Sequence, residues 1–298
     1  MRKAVFTIIV AVLGLAAAHA QDVSSVAMPF ASVPRSVRTL SMGGTDTGDG
    51  AAFKVLGEQK FSAGASWCSW APGATPSKDI NLDIYARLGS RLGLSALLAS
   101  DGGEAYTIYD ATGKAGASFK PKDLMFKVGL AYSITPIVSL GVDGRILKST
   151  LTAKNSYSAF AGDVHVAAKL GDARVVAGVA NLGASVAASD GTAFGLPTSA
   201  RVAGDYGLCI GESLSLDARA QADWFFTGGL RAGAGVELGY ADLAFVRLGY
   251  NYGGKTVLPS FASVGAGVKL AGFAIDFAYL LGSDTLGGSL AIGLGYSF

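Results

Sequence analysis

From Leu290 to the end the chain alternates, with Leu290, Ile292, Leu294, Tyr296 and Phe298 separated by Ala291, Gly293, Gly295 and Ser297. Successive side chains of a β-strand point to opposite faces, so a period of two puts the bulky apolar groups on one face and the small or polar ones on the other. The same period recurs. Leu82, Ile84, Ala86 and Leu88 oppose Asn81, Asp83, Tyr85 and Arg87. Leu214, Leu216, Ala218, Ala220 and Ala222 oppose Ser215, Asp217, Arg219, Gln221 and Asp223. Leu230, Ala232, Ala234, Val236, Leu238 and Tyr240 oppose Arg231, Gly233, Gly235, Glu237 and Gly239, and Phe273, Ile275, Phe277 and Tyr279 oppose Asp276. A strand set between lipid and a wet or filled lumen has this pattern. Counted from Gln59 onward, the segments predict an all-β fold, a transmembrane antiparallel β-barrel of about fourteen strands. Short turns at Gly89-Ser90, Thr135-Pro136, Gly171-Asp172, Ala241-Asp242 and Ala271-Gly272 mark one rim. The other carries longer loops, of which Asp101–Pro121 is the longest, and its stretch Ala105–Tyr109 has room for extended structure of its own. The last strand should close on the first near Phe61, since a barrel leaves no free edge.

No such period runs through the start of the chain. Arg2 and Lys3, the apolar run Ala4–Ala18 and the sequence Ala18-His19-Ala20 read as a secretory signal peptide over residues 1–20, with a mature start at Gln21. Residues 21–58 carry Pro29, Pro34 and the glycine-rich stretch Arg38–Gly50, and are expected to form a periplasmic or plug-like segment ahead of a barrel at 59–298. Gly43-Gly44 lacks the Gly-Lys-Ser/Thr end of a phosphate-binding loop.

Composition agrees with a barrel. The chain is 50% hydrophobic and 15% charged, where a soluble domain has roughly 25% charged residues. Past residue 20 no apolar run reaches the ~18–20 residues of a spanning helix. The 42 Gly suit crowded inner positions and the 11 Tyr suit the headgroup level. A net charge of +2 without a Lys/Arg cluster excludes nucleic acid as a partner.

Candidate chemistry therefore lies on the polar face, where a charge within a membrane span must meet water or a partner. Asp143, Arg145, Asp163, His165, Lys169, Asp217, Arg219, Arg231, Glu237, Arg247 and Asp276 are expected to face the lumen, together with Asp83, Arg87, Lys127, Arg201, Asp205, Asp223 and Lys269. Leu216, Val236, Ile275 and Ile292 should then face lipid. An ion-selective pore and a salt-bridged, partly closed interior both fit such a set; the mixture of signs favours the second. His165 is the one histidine after the cleavage site and Asp163 shares its face, but spacing assigns no nucleophile to an acid–histidine pair there. No enzyme activity, metal site or cofactor is expected. Cys68 near the loop rim and Cys209 near a short turn should lie too far apart for a disulfide.

Several stretches together resemble one family: Pro34–Thr45 (PRSVRTLSMGGT), Ser158–Val186, Leu196–Leu208 (LPTSARVAGDYGL), Val236–Gly254 and Asp276–Gly282 through to the C-terminus. In order and spacing they are similar to the PorV/PorQ outer-membrane proteins of Bacteroidota, relatives of FadL-type channels. The chain departs from the pattern after Met42-Gly43-Gly44, where the Asn-Pro-containing stretch is missing. The resemblance implies a FadL-like fourteen-stranded barrel in the outer membrane with an N-terminal segment in its lumen. It further implies a binding or scaffold role in type IX secretion, with secretion-system proteins or secreted cargo domains as partners beside outer-membrane lipid. Leu294, Tyr296 and Phe298 would be the signal read by barrel-assembly machinery. A second expectation is a FadL-like passive channel for small hydrophobic molecules.

Overall fold

The computed structural model describes residues 26–46, 50–71, 76–153, 155–188, 190–253 and 258–298. The expected signal peptide lies outside them. Strands β1 (Phe61–Trp70), β2 (Ser77–Leu88) and β3 (Leu92–Gly103) are followed by a loop hairpin of β4 (Tyr106–Tyr109) and β5 (Ala115–Phe119). Then come β6 (Lys122–Thr135), β7 (Val138–Thr150), β8 (Ser156–Leu170) and β9 (Ala173–Gly183). The short pair β10 (Val186–Ala187) and β11 (Ala193–Phe194) lies within the next loop. Strands β12 (Ser199–Ile210), β13 (Leu214–Phe225), β14 (Leu230–Tyr240), β15 (Ala244–Tyr252), β16 (Phe261–Leu270), β17 (Phe273–Leu281) and β18 (Leu290–Ser297) complete the chain.

Leaving out the two loop hairpins, fourteen strands pair with their neighbours into a closed antiparallel barrel. It is shut by β1 and β18, in register from Ser62↔Ser297 to Ser69↔Leu290. The terminal residue takes part: the Phe298 carbonyl accepts from the Lys60 and Phe61 amides at 2.8 and 3.0 Å, and its own amide donates to the Phe61 carbonyl at 3.1 Å. The Phe61 and Phe298 rings stack at 5.5 Å. Closure satisfies the edge amides that hydrocarbon could not solvate. Both ends of the described barrel lie at the short-turn rim, and the β4–β5 hairpin leans on the opposite rim through the Tyr106 hydroxyl, which donates to the Leu151 carbonyl at 2.7 Å.

The wall has two contrasting faces. Val236, Ile275 and Ile292 are 43, 57 and 42% exposed, whereas Glu237 is 5% exposed. Such a surface is stable only against lipid, because an apolar band this continuous would aggregate in water. Cys68 and Cys209 are both free thiols.

A barrel of about eight strands can fill its lumen with its own side chains, and a wider one cannot. Here the N-terminal segment fills the difference. It runs through a 3-10 turn (Pro29–Ser32), helix α1 (Val37–Ser41) and helix α2 (Ala51–Lys54). Ser36 caps α1 by accepting the Thr39 amide at 3.5 Å. Among the described residues three hydrophobic clusters join this segment to the wall. Met28, Phe30 and Ala31 pack with Met125, Leu147 and Leu196. Val37 and Leu40 pack with Trp70, Phe261 and Leu280. Ala52, Phe53 and Val55 pack with Tyr85, Ala131 and Val176. The inner face also carries large groups: Met125, Leu147, Phe261 and Leu280 are buried there beside Tyr85, whose inward placement the alternation predicts. They are large where the segment presents an apolar group to them.

Candidate functional site

The site is the junction of the N-terminal segment with the inner wall, and its two sides are built differently. Against β14–β16 the fit is a backbone fit. Gly43 and Gly44 have φ of +69° and +71°, left-handed values that an L side chain resists. They turn the chain so that Met42, fully buried, and Gly43 lie flat on inward glycines. A Cβ on Gly249 would collide with the Gly43 nitrogen and the Met42 carbonyl carbon, and one on Gly235 would sit 2.6 Å from the Met42 Cβ. The Gly43 amide donates to Ser263 Oγ at 3.1 Å, and Arg231 Nη2 donates to the Gly44 carbonyl at 2.9 Å. The glycines opposite Leu and Val in the repeating pattern are thus the seat of the plug.

Charged groups extend from this side around the inner wall as far as β9. Glu237 is held between Arg38 of α1, whose Nη2 donates at 2.6 Å, and Arg247, whose Nε donates to the other side of the same carboxylate. Arg247 Nη1 goes on to Asp276 at 2.5 Å. Arg219 Nε donates to Asp217 at 2.8 Å. Asp223 accepts from Arg201 Nε at 2.5 Å and Gln221 Nε2 at 2.6 Å, and Arg231 Nε lies 3.2 Å away. Asp205 takes both Nε and Nη2 of Arg174, at 2.8 and 2.7 Å. Removing one member of such a buried network leaves its partner uncompensated and costs about 3–5 kcal/mol.

Toward β6–β9 the fit is made by side chains, Ala31 and Ala52 packing with Leu147 and Ala131, and it leaves space beside them. A cavity of about 250 Å³ lies between the segment and the wall. It is lined by the cations Arg35, Lys54, Lys127, Arg145, Arg201 and Arg231 and the anions Asp46, Asp83, Asp143 and Asp163, with Phe53, Leu97, Met125 and Val176 as apolar walls. Here the β8–β9 ladder shifts register between Gly162 and Val164. Asn181 fills the bulge at φ +58°, a conformation that Asn tolerates better than most residues. Asp163 accepts the Asn181 amide at 2.7 Å and pairs with Arg145 Nη2, while Arg145 Nη1 donates to Asn181 Oδ1 at 2.7 Å and to the Ala31 carbonyl at 3.1 Å. A second cavity of about 330 Å³ lies toward the short-turn rim, lined by Gln59, Ser62, Arg174, Asp276 and Gly295 among others. Both cavities touch Arg35, Ser36, Lys54 and Asp83, so these side chains are the partition between them.

The residues singled out from sequence sort as follows. Asp143, Arg145, Asp163, Arg219, Arg231, Glu237 and Arg247 are buried, and Asp217, Asp276 and His165 are half-buried. Lys169 is exposed at the short-turn rim and lines neither cavity. His165 lines the first cavity, but an Asp163–His165 pair does not form among the described residues, because Arg145 and Asn181 occupy the Asp163 oxygens. The described residues contain no cluster of His, Cys, Asp and Glu able to hold a metal ion. Sequence reasoning missed Arg35, which donates to Asp101 at 2.7 and 3.0 Å and to Asp79 at 3.1 Å. Asp79 also accepts from Trp70 Nε1 at 2.8 Å. The available signal was the pair Arg35 and Arg38 in a stretch, Val26–Thr45, with no other charge, which no strand period brings to attention.

No protein-family model matches the chain, and no curated protein sequence matches it. Solved structures do. The toluene transporter TbuX of Ralstonia pickettii superposes with a TM-score of 0.61 at 14% identity, over 90% of this chain and 99% of that one. For the toluene transporter TodX of P. putida the figures are 0.61, 12%, 89% and 98%. The monoaromatic hydrocarbon channel CymD gives 0.59, 11%, 93% and 98%. At these identities the likeness is one of fold, a FadL-like barrel of fourteen strands. None of the three is named as a PorV/PorQ protein or a secretion component, so the finer resemblance to that Bacteroidota family gains no support.

Proposed function

We propose that the chain is an outer-membrane passive channel for small hydrophobic molecules that carry a polar group, with residues 21–58 as its plug and 59–298 as its barrel. The observation that carries this reading is the pair of neighbouring cavities that share Arg35, Ser36, Lys54 and Asp83 in their walls. A volume of about 250 Å³ is near the lower end of small-molecule sites, which run to roughly 300–1,000 Å³. Its walls mix Phe53, Leu97 and Met125 with charged groups, which suits a ring bearing a hydroxyl or carboxylate better than a bare hydrocarbon. The three similar structures are named as toluene transporters or a monoaromatic hydrocarbon channel, which supports the hydrophobic part of the solute. The role requires no catalytic group and no cofactor.

Cells that express the protein should take up benzyl alcohol and benzoate faster than cells without it, with a smaller gain for toluene. Equal uptake of all three with and without the protein overturns the channel. The route to the membrane is part of the same reading. Cleavage after Ala20 would leave Gln21 at the mature N-terminus, which sequencing of the membrane-extracted protein checks. Leu294, Tyr296 and Phe298 would act as the assembly signal, and all three point outward where assembly machinery can reach them.

A further inference from the structure

The outer wall carries a second feature that the lumen does not explain. Every other residue of each barrel strand faces outward, and over all fourteen strands the charged residues at these positions are Lys78, Lys122 and Lys148 alone. All three sit at the loop-side ends of β2, β6 and β7, within one sector of four adjacent strands. Lys78 pairs in register with Gly102 of β3, and Gly102 with Lys122. At the usual strand spacing the two lysines are about 10 Å apart with a glycine between them. Lys148 stands across from Leu124, one outward position nearer the midplane. Lys120 joins them from the loop: its Cε would lie 3.6 Å from a Cβ on Gly102, so its stem crosses the gap that the glycine leaves.

The acids of this sector are on the other side of the wall. Asp79, Asp101 and Asp123 form a continuous cross-strand row on the inner face, next in sequence to Lys78, Gly102 and Lys122. Arg35 holds the first two. Glu104 and Asp110 belong to the connection beyond the rim, and none of the four lysines forms an ion pair among the described residues. Toward the midplane the same sector is apolar and exposed, with Ile80, Leu98, Phe126 and Ile146. Elsewhere around the loop-side edge the outward strand ends are uncharged, for example Ser158, Trp224, Tyr252 and Leu281.

We infer that this sector binds a phosphate-bearing membrane lipid, its headgroup among Lys78, Lys120, Lys122 and Lys148 and its acyl chains along Leu98, Phe126 and Ile146. Scattered snorkelling lysines would be spread around the barrel, whereas these are gathered where a headgroup meets its chains. The inference requires only that the barrel sit in a membrane, and does not depend on what passes through the lumen.

Native mass spectrometry of the detergent-solubilised protein tests it, titrating phosphatidic acid, diacylglycerol with the same chains, and inorganic phosphate. Phosphatidic acid should bind the wild type and bind the K78Q/K122Q/K148Q variant roughly a hundredfold more weakly. Unchanged heat-modifiable migration in gels shows that the variant barrel is folded; should it not be, the same loss on raising salt with the wild-type protein replaces that comparison. Equal binding by the triple variant overturns the inference. So does equal binding of diacylglycerol, which would make the sector merely apolar. Displacement of phosphatidic acid by an equal concentration of inorganic phosphate would mark a soluble-anion site and overturn it as well.

Discussion

The two sides of the plug contrast in how they meet the wall. On the β14–β16 side, backbone lies on backbone: Met42-Gly43 is seated on Gly235 and Gly249, with no layer of side chains between. On the β6–β9 side the same segment meets the wall through side chains, with Ala31 and Phe53 packed on Leu147 and Val176 and the Ser139 hydroxyl donating to the Ala52 carbonyl at 2.6 Å, and a cavity remains beside Arg145, Lys127 and Asp163. The segment is thus held on both sides, closely on the first and with space left over on the second, where the proposed route would run.

The largest expected effect comes from unseating the tight side. Gly249→Val places carbon atoms where the Gly43 nitrogen lies, and neither backbone can yield cheaply. The loss should reach or exceed the ~3 kcal/mol upper end of ordinary overpacking. Planar-bilayer recordings should then show a large, noisy conductance that the wild type lacks; a wild-type trace would mean that the segment is held elsewhere.

Next in size is Arg247→Met, which strands Asp276 and leaves Glu237 with Arg38 alone. A destabilisation of about 3 kcal/mol is expected, the lower end for a broken buried pair because Arg38 remains. Urea unfolding in detergent checks it, and benzoate uptake should stay within a factor of about two.

Filling the loose side should reverse that pattern. Leu97→Trp projects into the cavity, so benzyl alcohol uptake should drop about tenfold while stability changes by less than about 1.5 kcal/mol. If uptake is untouched, the route does not pass this cavity. The smallest effect is expected at the partition. Lys54 Nζ donates to Ser62 Oγ at 3.2 Å and lies 5.6 Å from the Tyr85 ring centre. Lys54→Met keeps most of the stem, so stability should move by under about 1 kcal/mol. Uptake of benzoate should fall several-fold relative to benzyl alcohol, because one of the two positive charges at the partition is gone and Arg35, the other, is tied to Asp79 and Asp101.

Much of the architecture could be read from residue order because alternation is a local property. Leu214–Asp223 and Leu230–Tyr240 show their faces without reference to any other part of the chain, and a fold that must satisfy every backbone amide in lipid admits few other arrangements of such strands. The closing contact of Phe298 with Phe61 follows from the same requirement. The first rank of inward charges, Glu237, Arg247 and Asp276 among them, was also visible as interruptions of the apolar face.

What the tertiary structure alone decided is which of these charges meet and what stands between them. Arg35 and Asp101 are 66 residues apart, and Arg38 and Glu237 are 199 apart. No period links a segment without strands to the wall that it touches. Residue order marked the inward glycines as suited to crowded positions but not what crowds them, which is Met42-Gly43, and it gave no reason for large inward residues such as Tyr85 and Phe261, which α2 and α1 cover. Alternation along a strand determines a barrel's two faces. The choice between a filled and an open lumen depends on long-range fit, and residue order does not express it.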